Sequence, residues 1–220
     1  MTPDRATDAQ PRRLDTGEPI DTVVFDLGAV LIDWNPRHLY RSLFDNDAEM
    51  ERFLSTVCTA EWNLEQDRGR GLTEATAMLV AEHPAHAALI EAYYGRWDEM
   101  LGEPITGTVA IARALKAGGI RLAALSNWSA ETFPRALGRL GFLDDFDGVL
   151  ISGSVGLVKP ELAIFELFAK QHAVDVRHAV FVDDSAKNVE AGAAAGFDAI
   201  VFRSPEQLRA DLRARGLPVG

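Results

Sequence analysis

The chain predicts an α/β fold: a Rossmann-like parallel sheet with helices on both faces, interrupted after its first strand by an all-helical insertion. Three observations carry that expectation. Short β-branched and aromatic runs recur along the chain, segments of helical period separate them, and residues 36–105 break the alternation with helical patterns alone. The length of 220 residues suits one core domain with a modest insert, since domains run to roughly 100–200 residues.

Residues 1–19 are polar, hold Pro3, Pro11, Gly17 and Pro19, and have no period. They read as a flexible arm with little to bury against the entropy of ordering. Thr22-Val23-Val24-Phe25 reads as the first buried strand and ends at Asp26-Leu27-Gly28. Comparable runs lie at 120–125, 148–151, 179–182 and 199–202. A helix is expected over 108–116, with Val109, Ala112 and Leu115 on one face and Gly118-Gly119 as its stop. Others are expected over 131–140, stopped by Gly141; 160–171, opened by Pro160 at the first helical position; 186–195, stopped by Gly196; and 205–215, stopped by Gly216. Residues 20–35 and 106–220 therefore form the expected core. The insert, 36–105, shows no convincing strand and helical patterns at 37–44, 47–57, 73–82 and 87–100.

Composition excludes several classes of function. Lys and Arg number 22 against 33 Asp and Glu, a net charge of −11. A binder of the nucleic-acid backbone needs a cationic face, so none is expected. The single cysteine, Cys58, permits neither an internal disulfide nor a cysteine-rich zinc cage, which suits a reducing compartment. No run approaches the roughly 18 apolar residues of a membrane span, and the N-terminal stretch lacks the apolar segment of a secretory signal. The expectation is a soluble cytoplasmic protein, monomer or homodimer. It raises the question of what substrate so anionic a chain accepts.

In an open parallel sheet, ligands bind beyond the carboxyl ends of the strands, where strand order reverses. The first strand delivers Asp26 there, the second Ser126-Asn127, the fourth Asp183-Asp184, and the loop after the third run delivers Lys159. A carboxylate such as Asp26 can attack phosphorus or carbon and form a covalent intermediate that water cleaves. Asp26 with Asp183 makes a hard-oxygen site suited to Mg²⁺. Lys159 adds a point charge, and the Ser126 hydroxyl with nearby backbone N–H groups can hold phosphate oxygens. A divalent ion plus one lysine makes such a pocket cationic whatever the net charge, and a small anionic substrate becomes acceptable.

Phe25-Asp26-Leu27-Gly28-Ala29-Val30-Leu31, Leu125-Ser126-Asn127, Lys159-Pro160 and Phe181-Val182-Asp183-Asp184 resemble the four ordered motifs of the haloacid dehalogenase (HAD) superfamily, over residues 22–204. The helical insert is similar to the C1-type cap of that superfamily. The resemblance implies Asp26 as nucleophile, Ser126 as phosphate-binding hydroxyl, Lys159 as charge-stabilising lysine and Asp183 as magnesium ligand. It also implies that the backbone carbonyl of Gly28 completes the metal shell, with Asp184 acting through a water or by orienting the ligands.

One departure matters. Most phosphatases of the superfamily carry a second aspartate two residues after the nucleophile as general acid and base, and here that position is Gly28. The chain resembles the Asp-x-Gly sugar-1-phosphate phosphatases. General acid–base help is worth about 10²–10⁴-fold, so another donor or a good leaving group is required. Asp33 is a candidate donor; its alternative is to cap the helix opened by Pro36. A 2-haloacid dehalogenase acting through an aspartyl ester needs no such acid, and Ser126-Asn127 suits a halide or a carboxylate. Those dehalogenases, however, are metal-free, have an aromatic residue at the Gly28 position and non-acidic residues at Asp183 and Asp184, and adjacent carboxylates repel without a cation between them. A non-catalytic binding protein of the same fold is a third reading.

Trp34 and Trp128 closely follow motif residues and are expected to line the pocket. Trp62, in the insert, is a candidate contact for the leaving group, with core packing as its alternative; Trp97 reads as core. The five histidines show no metal-ligand spacing apart from His83 and His86 around Pro84, which read as a solvated pair. Gly153-Ser154-Val155-Gly156 lacks the lysine and helix of a P-loop. The chain thus reads as a Mg²⁺-dependent phosphatase of a small phosphorylated metabolite.

Overall fold

The structure, a computed structural model, describes residues 19–220. The expected flexible arm lies outside the described residues except for Pro19, which is exposed. The first strand, β1 (Thr22–Phe25), is followed by β2 (Ile32–Trp34) and the insert helices α1 (Arg37–Tyr40), α2 (Asp47–Thr56), α3 (Ala60–Asp67), α4 (Leu72–Glu82) and α5 (Ala87–Gly95). The chain returns through β3 (Leu101–Pro104) to α6 (Thr106–Ala117), β4 (Arg121–Ser126), α7 (Phe133–Ala136), β5 (Gly148–Ile151) and α8 (Leu162–Gln171). It ends with β6 (Ala179–Asp183), α9 (Ala186–Ala194), β7 (Asp198–Val201) and α10 (Pro205–Ala214).

The main sheet has the order β5-β4-β1-β6-β7, and every adjacent pair is parallel. The chain leaves β1 toward β4 and β5, then recrosses to β6 and β7, so β1 stands at the reversal of strand order. Alternation along β1 divides the core in two. Val23 and Phe25 join Leu122, Ala124, Val180 and Val182 against Ile111 and Leu115 of α6 and Leu208 and Leu212 of α10. Val24 faces the other way, with Ala123, Leu125 and Phe181 against Ile164, Phe165 and Phe168 of α8 and Val189 of α9. A strand buried on both faces needs the near-continuous apolar run that Val23-Val24-Phe25 supplies. The register aligns Phe25 with Ala124 and Val182, which brings Asp26, Ser126 and Asp183 to one edge.

The helical insert differs from the sequence expectation in two elements. β3 pairs antiparallel with β2, Ile32 opposite Pro104 and Trp34 opposite Leu101, so the insert closes on a two-stranded ribbon where no strand was expected. Leu-Gly-Glu-Pro has no β-branched residue, and its pairing comes from the return of the chain beside β2 rather than from propensity. α3 also lay outside the expected helices; Thr59 caps it, its hydroxyl accepting from Trp62 N at 3.1 Å. Three expected helices are shorter. Residues 37–44 hold only the four-residue α1, 87–100 turn to 3₁₀ geometry after Gly95, and 131–140 contain α7 and a 3₁₀ turn. Pro160 precedes α8 instead of opening it, after a cis Lys159–Pro160 bond, and Glu161 is the N-cap. Among the described residues no helix is long and apolar enough to cross a membrane.

Candidate active site

Asp26 leaves β1 with its backbone N–H on Val182 O at 2.8 Å, which holds it against β6. Its carboxylate oxygen Oδ1 accepts from Leu27 N at 2.8 Å and Ser126 Oγ at 2.6 Å and lies 3.0 Å from Lys159 Nζ. Among the described residues Oδ2 takes none of these bonds. Lys159 is buried, and its ammonium also donates to Leu125 O at 2.8 Å and Asp183 Oδ2 at 2.6 Å. Its three protons therefore have three acceptors. The Lys159 backbone is clamped by Asn127, whose Nδ2 donates to Lys159 O at 2.9 Å while its Oδ1 accepts from Lys159 N at 2.8 Å.

Asp183 is fully buried at the end of β6 and oriented by the start of α9. Its Oδ1 accepts from Ser185 N at 2.8 Å and Asn188 Nδ2 at 3.0 Å. Asp184 is exposed beside it. Carboxylate oxygens of Asp26, Asp183 and Asp184 all lie within 4.8 Å of one another. Three acids share one lysine, so the cluster carries a charge deficit that a hard divalent cation fits.

The ionisation of these groups follows from that crowding. Burial pushes the Asp26 carboxyl up to about 6; Lys159 and the Ser126 hydrogen bond oppose the rise, while Asp183 and Asp184 add to it. Asp184 is raised as well, by desolvation of its carboxyl and then by Asp183. Burial alone would drive the Lys159 ammonium down, but Asp183 and Asp26 outweigh it and hold the group above its ordinary value.

A pocket enclosing about 400 Å³, its solvent-open part included, adjoins this cluster. Gly28, Asn127, Trp128, Ser129 and Thr132 line it from the core, and Trp34, Asn63, Asp67, Tyr94 and Trp97 complete its wall. Trp34 and Trp128 thus stand where the sequence placed them. Trp97, read as core, is buried but also lines the pocket, with the Arg135 guanidinium 5.6 Å from its ring. Trp62 is not among the lining residues. Its ring packs on Tyr93 and Tyr94 at centroid distances of 5.1 and 5.4 Å, which is the core-packing alternative. Asp33 neither enters the pocket nor caps a helix, for its Oδ2 pairs with His38 Nε2 at 2.8 Å on the surface. Asn127 lines the pocket while its amide also clamps Lys159, leaving its second N–H and the second lone pair of Oδ1 outside those two bonds.

Two residues at the site escaped sequence reasoning. Asn188 is one turn into α9, and only the helix start fixed by Ser185 turns it back onto Asp183. Asp67 ends α3, a helix that was not expected.

Acids gathered around a buried lysine beyond the strand ends, where strand order reverses, define an α/β protein with a ligand site at its topological switch point. The family model of the haloacid dehalogenase-like hydrolases matches residues 20–196, and the chain belongs to that family of hydrolases. It is 27% identical over 174 residues to a sesquiterpene phosphatase of Aspergillus oryzae, covering 79% of this chain and 85% of the relative. It is 33% identical over 95 residues to a drimenol cyclase of Aspergillus calidoustus, but that match spans 43% of this chain and only 18% of the cyclase. Among solved structures, a HAD family enzyme of Bacteroides thetaiotaomicron in complex with magnesium and inorganic phosphate aligns with a TM-score of 0.62 at 20% identity, covering 84% of this chain and 95% of that one. The L-2-haloacid dehalogenase of Xanthobacter autotrophicus aligns at 0.58 and 18% identity, over 89% and 83%.

Proposed function

We propose that this hydrolase is a Mg²⁺-dependent phosphatase of small phosphate esters, acting through an aspartyl-phosphate on Asp26. The observation that carries the reading is the trio Asp26, Asp183 and Asp184 around a single lysine. A metal-free dehalogenase has no use for the second and third carboxylates, whereas a divalent cation balances them. Asp26, Asp183, the Gly28 carbonyl and Asp184 would hold Mg²⁺, which when bound supplies charge neutralisation for phosphate oxygens. The relative named as a sesquiterpene phosphatase supports the same reaction class.

In this reading Asp26 attacks through Oδ2 while Oδ1 stays anchored to Leu27 N. The Ser126 hydroxyl and the Lys159 ammonium, both within bonding distance of Asp26, receive the phosphoryl oxygens as charge builds on them. Asn127 positions Lys159 and, from the pocket wall, keeps a second amide N–H to offer a substrate oxygen. Residues 36–105 act as a cap over the core, excluding bulk water and offering aromatic walls to the leaving group. The single cysteine, buried and free, suits a cytoplasmic setting.

Asp26→Asn tests the mechanism. It keeps the hydrogen bonds and removes the nucleophile, so Mg²⁺-dependent release of phosphate from a test ester should stop while the thermal melt remains cooperative. Retained phosphatase turnover in that variant overturns the reading. Turnover of a 2-haloacid that survives chelation supports the dehalogenase instead.

A further inference from the structure

We propose that Asp67, delivered by the helical insert, is the general acid that protonates the leaving oxygen and then the general base that activates water. The inference rests on the phosphatase reading. Asp67 is the acid among the lining residues of the pocket, where it stands with Gly28 and Asn127 of the core and the rings of Trp34, Tyr94, Trp97 and Trp128. Those aromatic walls mark the space a leaving group would fill, and Gly28 brings no side chain into it.

The side chain is held from both parts of the molecule. Asp67 Oδ2 accepts from Asn63 Nδ2 at 2.9 Å within α3, and the carboxylate also accepts from the backbone N–H of Ser129 in the core. Its main-chain oxygen accepts from Ser152 Oγ at 2.5 Å, and the same hydroxyl accepts from Trp128 N at 2.9 Å. A carboxyl fixed to this degree is oriented for proton transfer rather than free to swing in solvent. Its electrostatic surroundings agree. Burial pushes the carboxyl up to about 7; the Ser129 hydrogen bond opposes, Asp26 adds to the rise and Lys159 opposes it. The Tyr93 and Tyr94 hydroxyls also lie in its field. Asp67 can therefore hold a proton near neutrality and still feel the charge of the nucleophile.

The steps balance. An Asp26 oxygen bonds to phosphorus, the bond from phosphorus to the leaving oxygen breaks, and that oxygen takes the proton of Asp67 to depart as an alcohol. Water then attacks phosphorus and gives its proton to the Asp67 carboxylate. The bond from phosphorus to Asp26 breaks and phosphate leaves, with Asp67 protonated again.

The test compares Asp67→Asn with wild type on two esters in Mg²⁺, an alkyl phosphate and p-nitrophenyl phosphate. The parameter is kcat/KM, which reports the first, bond-breaking half-reaction. Nitrophenolate leaves without a proton, so its kcat/KM should stay within about threefold of wild type, while the alkyl ester should lose about 10²–10³-fold. Loss of the acid–base group also slows the water step, so the variant should release a burst of nitrophenolate stoichiometric with enzyme. Equal losses on the two esters, as a merely structural Asp67 would give, overturn the proposal, and so does no loss on either. The nitrophenyl ester reports on intact folding in the same sample. Absence of wild-type turnover on both esters, or turnover that Asp26→Asn leaves intact, overturns the phosphatase reading itself and this inference with it.

Discussion

Lys159 carries a charge with almost no access to water, and its cost is offset only because Leu125 O, Asp26 and Asp183 take its three protons. Replacing it with methionine keeps the apolar stem and leaves two buried carboxylates facing each other. The expected loss is about 3–5 kcal/mol at pH 8, with turnover abolished. A carboxyl raised by folding binds protons more tightly in the folded state, so it stabilises the fold as pH drops through its folded value toward its ordinary one. Asp26 is already raised to about 6 and would rise further without the lysine. A proton then stands in for the missing charge, and the gap between Lys159→Met and wild type, read from urea midpoints, should narrow at pH 5. An unchanged gap counts against the shared-charge account. Lys159, Asp26, Ser126 and Asp183 were legible in the sequence because each sits at a strand end or in the turn before a helix, where local pattern fixes position. Asn188 and Asp67 were not. Their placement depends on a helix phase and on an insert folding back across the sheet, which local pattern does not encode.

Helix α9 approaches β6 closely at Gly192. A Cβ placed there would lie 2.6 Å from the Phe181 ring, itself packed by Phe165 and Phe197 at centroid distances of 5.3 and 6.0 Å. Alanine is the better helix former by about 1 kcal/mol, but overpacking a close-fitted core costs about 1–3 kcal/mol. Gly192→Ala should therefore lose about 1 kcal/mol net. At Gly95, the end of α5, an added Cβ meets nothing within 4 Å, and the same substitution should not destabilise. Paired thermal melts of the two variants check the contrast, and a stabilised Gly192→Ala would count against it. The five parallel strands were legible for a related reason: a strand covered on both faces must be apolar throughout, and such runs stand out. The β2–β3 ribbon was hidden because Ile-Asp-Trp and Leu-Gly-Glu-Pro are short and owe their pairing to the closing of the insert. Residues 131–140 carry a helical pattern, but Pro134 and Gly138 leave only α7 and a 3₁₀ turn.

Across the whole molecule, a net charge of −11 says little about the site, where acids are concentrated around one lysine to recruit a cation. The relation of insert to core decides more. The segment 67–72 is fastened to the core along its length. Ser152 Oγ holds Asp67 O, Arg68 pairs with Glu161 at 2.5 Å just beyond Lys159-Pro160, and Leu72 N donates to Glu131 Oε1 at 2.9 Å. The last contact is a helix cap supplied from the other part of the molecule. Gly71, the N-cap of α4, has no side chain to offer, and the core carboxylate takes its place at the positive end of the helix. Glu131 is exposed, so water can replace the lost acceptor, and Glu131→Ala should cost no more than about 1 kcal/mol of global stability. Its effect should instead be local: faster hydrogen exchange at residues 67–72, unchanged protection in β1, β4 and β6, and a several-fold fall in kcat/KM as the pocket wall and Asp67 loosen. Glu131→Gln, which keeps an acceptor oxygen, should recover most of the protection. Uniformly faster exchange through the sheet, or none at 67–72, would show that Glu131 does not fasten the insert and leave that to contacts such as those of Ser152, Glu161 and Arg135.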